Sequence, residues 1–155
     1  MSRAFVRESD QGTAESLPRR AVSAHPNLVT PNGLALLEAK VRELEEARSA
    51  AKLADDRATL AHLTRDALYF AQRLASARVI EPAAAPAVVR FGVQVVLAES
   101  DGSERTFRLV GEDEADPAHG LLSWVSPLAQ ALIGREPGDT ITLQGRELEI
   151  VRLEG

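Results

Sequence analysis

The sequence predicts an α+β protein, with an N-terminal antiparallel helical hairpin followed by a small antiparallel sheet domain that carries one short helix. Three observations carry this reading. Apolar residues recur in alternating steps of three and four from Leu34 to Ala51 and again from Leu60 to Ala77, the spacing of a helical seam. A Pro/Ala stretch from Glu81 to Ala87 breaks that pattern. Beyond it, short β-branched runs alternate with turn residues.

Residues 1–27 mix Arg, Ser, Gly, Pro and Glu without an apolar period and read as a mobile arm. The triple Ala4-Phe5-Val6 is read as a chance cluster rather than a docking strand. Thr30-Pro31 then supplies a hydroxyl N-cap and a proline at the first helical position, where its missing N–H costs nothing. Leu34, Leu37, Val41, Leu44, Arg48 and Ala51 mark the inner face of the first helix, and Leu60, Leu63, Ala67, Phe70, Leu74 and Ala77 that of the second. Only Lys52 to Asp56 remain for a turn, so two helices of similar length must pair antiparallel within residues 28–80. An arm of about 23 residues is roughly 34 Å long at 1.5 Å per residue.

Residues 81–87 are the expected linker, and residues 88–155 the sheet domain. Strands are expected at Arg90 to Ala98, Glu104 to Val110, Leu121 to Trp124, Thr140 to Leu143 and Leu148 to Leu153, separated by turns such as Ser100-Asp101-Gly102 and Gln144-Gly145. Between the third and fourth strands, Ser126 caps a short helix, Pro127 opens it, and Leu128, Leu132 and Ile133 form its apolar face. One helix over one face of a small sheet is a sufficient α+β core for such a domain.

Composition narrows the function classes. The chain has no cysteine, which excludes disulfides, thiol nucleophiles and thiolate metal sites. It has no apolar run long enough for a membrane span and no signal-peptide pattern at its N-terminus, so a cytoplasmic location is expected. Residues 81–155 carry thirteen acidic and six basic side chains, opposite in sign to a phosphate-backbone binder, which favours a protein partner over naked nucleic acid. The plainer account is that these acids keep a small domain soluble.

At the hairpin turn, Asp55 and Asp56 are adjacent carboxylates. The plain reading makes one of them a helix cap; the sharper one lets the pair share Mg²⁺ with ligands from another protein. His25, His62 and His119 lie in separate segments and suggest no metal site. Ser123 and Ser126 lack the Gly-x-Ser-x-Gly turn of a nucleophile. Trp124 and Phe107 are expected to pack in the sheet, with Trp124 a contact anchor if exposed. The run Glu112-Asp113-Glu114-Ala115-Asp116 reads as a solvated loop.

The stretch "FRLVGEDEAD" followed by "SWVSPLAQALIGREPGD" resembles the C-terminal signature of the bacterial Gre transcript-cleavage factors, the GreA/GreB family. "LVTPNGLALLEAKVRELE" is similar to the start of that family's first coiled-coil helix and "LASARVI" to the end of its second, so the resemblance covers roughly residues 28–153 and leaves the arm 1–27 outside it. It implies an antiparallel coiled coil joined to an FK506-binding-protein-like (FKBP-like) domain that docks on bacterial RNA polymerase at the rim of the secondary channel. It implies a docking surface around Glu112, Asp113, Glu114, Asp116, Trp124, Ser126 and Pro127. Nucleic acid would be met only through the elongation complex, no cofactor beyond Mg²⁺ shared with polymerase is implied, and a monomer is expected.

The tip departs from the family. Cleavage-active members carry Gly-Asp-x-x-Glu-Asn-x-Glu-Tyr, whereas Lys52 to Leu60 here reads KLADDRATL, with neither Glu-Asn nor Tyr. The arms also look shorter by roughly two turns, about 11 Å of reach, while a carboxylate must come within about 2.1 Å of Mg²⁺ to bind it. The chain is similar in this respect to the shorter Rnk-type relatives. The expectation is a regulator that occludes the channel without efficient cleavage, not itself an enzyme; the alternative is a cleavage-stimulating factor using Asp55 and Asp56. A prolyl isomerase and an unrelated coiled-coil scaffold are the other classes, the former thinly supported by Phe91, Phe107 and Trp124 as its aromatic residues.

Overall fold

The computed structural model describes residues 17–155. The first part of the expected arm, with Ala4-Phe5-Val6, lies outside the described residues. Thr30 caps the first helix as expected: its backbone is extended, and its Oγ1 accepts a hydrogen bond from the Gly33 amide at 2.9 Å. Helix α1 spans Pro31–Leu53 and helix α2 spans Arg57–Ser76. The turn between them puts Asp55 in the left-handed region, at φ 51°, and makes Asp56 the cap of α2.

Leu37, Leu44 and Ala51 are the buried large or small apolar positions of α1, one every seven residues, and Ala67 is the buried apolar position of α2. At the base, β1 (Leu28–Val29) pairs in parallel with β2 (Arg78–Val79). The Arg78 amide donates to the Asn27 carbonyl at 2.8 Å and the Ile80 amide to the Val29 carbonyl at 2.9 Å. Because the chain leaves and returns side by side, the two helices run in opposite directions. Strands of two residues are too short to leave a periodic signal in the sequence.

The five-stranded sheet comprises β3 (Gln94–Glu99), β4 (Glu104–Val110), β5 (Leu121–Ser123), β6 (Thr140–Leu143) and β7 (Arg146–Glu154), in the order β5-β4-β3-β7-β6. Helix α3, Pro127–Leu132, follows β5. The pairs β3/β4, β3/β7 and β6/β7 are antiparallel, but β4 and β5 are parallel. This corrects the expected all-antiparallel sheet. The chain from Gly111 to Gly120 does not fold back as a hairpin but loops round through a 3₁₀ turn at Pro117–His119, so β5 enters from the same end as β4. The first strand begins at Gln94 rather than Arg90, because Phe91-Gly92 form a turn with Gly92 at φ 86°.

Val93, Val95 and Leu97 alternate onto one face of the sheet and meet Leu109, Leu122, Ile141, Leu148 and Ile150 beneath Ala129 and Leu132 of α3. Along β7 the inward residues Leu148, Ile150 and Leu153 are spaced by two and then by three. An uninterrupted strand would turn Leu153 outward. The register shift opposite Val96 and Leu97, which face Arg152 and Ile150, leaves Val151 as the extra residue and keeps Leu153 inward.

Residues 17–27 form neither helix nor strand, but side chains of this segment contact both the hairpin and the sheet domain. Arg20 pairs with Asp66 of α2 at 3.2 Å, and the Asn27 side chain is buried against the end of the same helix, donating to the Arg73 carbonyl at 2.6 Å. The hydrophobic-period reading missed this because polar side chains make the contacts.

Candidate functional site

The turn after β4 carries Gly111 and the acidic run, and it meets the hairpin at its base. Arg73 of α2 is buried, its side chain 2% exposed; Nε donates to Asp113 Oδ2 at 2.6 Å, and Nη2 lies 3.5 Å from Glu112 Oε2. The Tyr69 hydroxyl donates to the other Asp113 oxygen at 2.7 Å. On the α1 side, Glu114 accepts from Thr30 Oγ1 at 2.6 Å and from Asn32 Nδ2 at 2.9 Å, so the hydroxyl that caps α1 also tethers it to the sheet domain. A Cβ at Gly33 would sit 2.7 Å from Glu114 Oε2, so a larger residue there would displace this carboxylate. Asp113 and Glu114 are therefore directed into the molecule, and Glu112 leans to Arg73. Asp116 remains half-exposed and pairs with His119 at 2.6 Å.

The sequence reading missed Tyr69 and Arg73. A signal was present: Asp66, Tyr69, Arg73 and Ser76 recur in steps of three and four beside the apolar seam, marking a second covered face of α2. Burial, followed by the hydrogen bond to Asp113, pushes the Tyr69 phenol up to about 12. Tyr69 is the sole tyrosine, so phenolate absorbance follows it alone. The midpoint is expected near that value in the folded protein and nearer the ordinary value of about 10 in Asp113→Asn. Because the folded value is the higher one, this contact's contribution to stability is full below pH ~10 and is lost as the pH rises through the folded value. A wild-type midpoint at the ordinary value would show that the phenol does not hold this bond.

On the sheet domain, Ser126 caps α3 as expected, its Oγ accepting from the Ala129 amide at 3.3 Å, with Pro127 exposed at the first helical position. Such a cap contributes about 1 kcal/mol. Trp124 precedes it, half-buried, its amide bonded to the Val110 carbonyl and its carbonyl accepting from Gln130 Nε2. Its ring meets Phe91 edge-on at 6.5 Å and His25 edge-on at 5.9 Å. The indole Nε1 and the neighbouring Ser123 Oγ are buried without a hydrogen-bond partner among the described residues. Beside α3 lies a cavity of about 120 Å³ walled by Leu97, Phe107, Leu128, Leu143 and Leu148. Of the three aromatic residues weighed for a prolyl-isomerase pocket, Phe107 alone lines it; Phe91 and Trp124 pack on each other.

Residues 52–59, at the far end of the hairpin, are all exposed. Asp56 Oδ1 accepts from the Thr59 amide at 3.1 Å, and the Thr59 side chain and amide together hold its carboxyl below the usual range. Asp55 is 86% exposed, with Arg57 at 3.8 Å. Leu53 beside them is 92% exposed. Among the described residues, no three His, Asp or Glu side chains lie together as a metal site.

A two-helix arm is hydrogen-bonded and ion-paired onto a small sheet domain, and the far end of the hairpin is left exposed. The family described as transcription elongation factor, GreA/GreB, C-term matches residues 84–154. The chain is 32% identical over 135 residues to transcription elongation factor GreA of Ruegeria pomeroyi, covering 75% of this chain and 86% of that protein. It is 50% identical over 88 residues to GreA of Alkalilimnicola ehrlichii, covering 52% and 56% respectively. A solved GreA/GreB elongation factor from Nitrosomonas europaea aligns with 83% of this chain and 98% of its own at 22% identity and a TM-score of 0.41. The chain spans about half the length of the Alkalilimnicola and Paracoccus denitrificans relatives that it matches. This chain belongs to the GreA/GreB family of transcription elongation factors. No helix among the described residues is long and apolar enough to cross a membrane.

Proposed function

We propose that this protein docks on bacterial RNA polymerase through the sheet domain, an FKBP-like module in this reading, and inserts the hairpin into the secondary channel of a cytoplasmic elongation complex. There it excludes other channel-binding factors without efficient transcript cleavage. Docking is assigned to the surface around Trp124, Ser126 and Pro127, with Asp116 at its margin. The carrying observation is the state of the tip. Two metals about 3.5–4 Å apart serve such phosphoryl chemistry, and the outer one is strengthened by carboxylates brought to it. Asp56 is already committed to capping α2, and α1 and α2 are 23 and 20 residues long. That leaves Asp55, 86% exposed and 3.8 Å from Arg57, as the tip carboxylate not held in a cap.

The exposure of Asp55 also supports the second reading, in which it reaches the polymerase Mg²⁺ and Asp56 swings off its cap to join it. Backtracked elongation complexes incubated with the full chain and Mg²⁺ separate the two. Short 3′ RNA fragments are expected to be released no faster than by polymerase alone, while a cleavage-active Gre factor added afterwards is blocked in proportion to the occupied fraction. Rapid release that disappears in Asp55→Ala/Asp56→Ala would replace occlusion by cleavage and make the aspartates metal ligands.

A further inference from the structure

Residues 17–27 cross from the hairpin to the sheet domain, and the manner of their attachment is informative. The main chain of residues 17–25 makes no hydrogen bond to either body among the described residues. Two side chains hold it there instead. Arg20 pairs with Asp66 and lies over the Tyr69 ring at 3.9 Å and the Phe70 ring at 5.3 Å, these two rings meeting edge-on. His25 rests edge-on against Trp124. Firm anchorage begins at buried Asn27, bonded to the Arg73 carbonyl and Ser76 Oγ. From the anchor at Asn27 the segment thus runs past Trp124, touching it through His25, to an aromatic, acidic patch on α2, touching that through Arg20. A half-buried tryptophan with an unpartnered indole N–H is the kind of group an interface uses.

We propose that residues 17–27 are a displaceable strap that competes in cis with the polymerase partner for the Trp124 face. The inference rests on the docking reading above. Binding requires the strap to lift, so apparent affinity is reduced by the fraction of molecules in which it is closed. Arg20 is the latch, because a guanidinium stacked on a ring and paired to a carboxylate cannot be replaced by an ammonium without losing the planar contact.

Trp124 is the sole tryptophan, so its emission reports the strap without any polymerase present. Full-length wild type, Arg20→Ala, Arg20→Lys and His25→Ala are compared for acrylamide quenching and then for polymerase binding. In Arg20→Ala the lifted fraction is expected to rise about fivefold, the ratio that loss of one exposed cation–π contact produces. Quenching should increase, polymerase binding should tighten, and Arg20→Lys should fall between. Unchanged quenching in both Arg20→Ala and His25→Ala overturns the strap. Increased quenching with unaltered or weaker polymerase binding overturns the competition. If no form binds polymerase, the docking reading fails and the competition with it, while the quenching result still decides whether the strap exists.

Discussion

Arg73→Met is expected to destabilise the protein by up to about 3 kcal/mol, because it removes the buried cation and leaves Asp113, 13% exposed, beside an apolar side chain. The loss should be visible as a lower urea midpoint. The double variant Arg73→Met/Asp113→Leu is the sharper test. Replacing both members of a buried pair by apolar groups removes the unpaired charge, so it should recover much of the loss even though one more native contact is gone. Tyr69 would then lack its acceptor, which limits the recovery. A double variant as unstable as Arg73→Met would show that the network supplies stability through geometry rather than charge compensation.

Leu132→Ala is the second large effect. Leu132 is fully buried and, with Ala129, seats α3 on the sheet. Truncation should cost about 2–5 kcal/mol, while the volume-conserving Leu132→Met should cost less than about 1.5. The two variants also separate stability from docking. Loss of the seat frees α3 and with it the Ser126-Pro127 corner, so Leu132→Ala should bind polymerase more weakly than Arg73→Met at equal fraction folded. Equal binding by the two, measured well below their unfolding midpoints, would remove α3 from the docking surface.

The parts of the fold legible in the sequence are those built by one periodic or one capping signal. Thr30-Pro31, Asp56 and Ser126-Pro127 were readable because a cap satisfies local amides with a side chain a few residues away. The seam residues Leu37, Leu44 and Ala51 were readable for the same local reason. What escaped was set by long-range polar contacts. Glu114 looks solvated in sequence, and only the meeting of Thr30 and Asn32 with a turn more than eighty residues away makes it a buried tether. The parallel entry of β5 likewise follows from the path of a ten-residue connection that has no period of its own. At the tip, the sequence supplied the residues and both of their readings. The Thr59 amide assigns Asp56 its cap and leaves Asp55 outside it, exposed and 3.8 Å from Arg57.

The paired β1 and β2 strands at the base, together with the seven-residue spacing of Leu37, Leu44 and Ala51, make arm length a variable separable from anchorage. One heptad inserted into each helix would preserve the seam, the three-residue turn and every contact below Leu37, and would move the tip outward by about 10.5 Å. Reach in such an arm changes in whole steps, and each step leaves the foundations unaltered. Paired insertions or deletions alone therefore pass between a short arm and a long one, with no intermediate in which the base must be rebuilt.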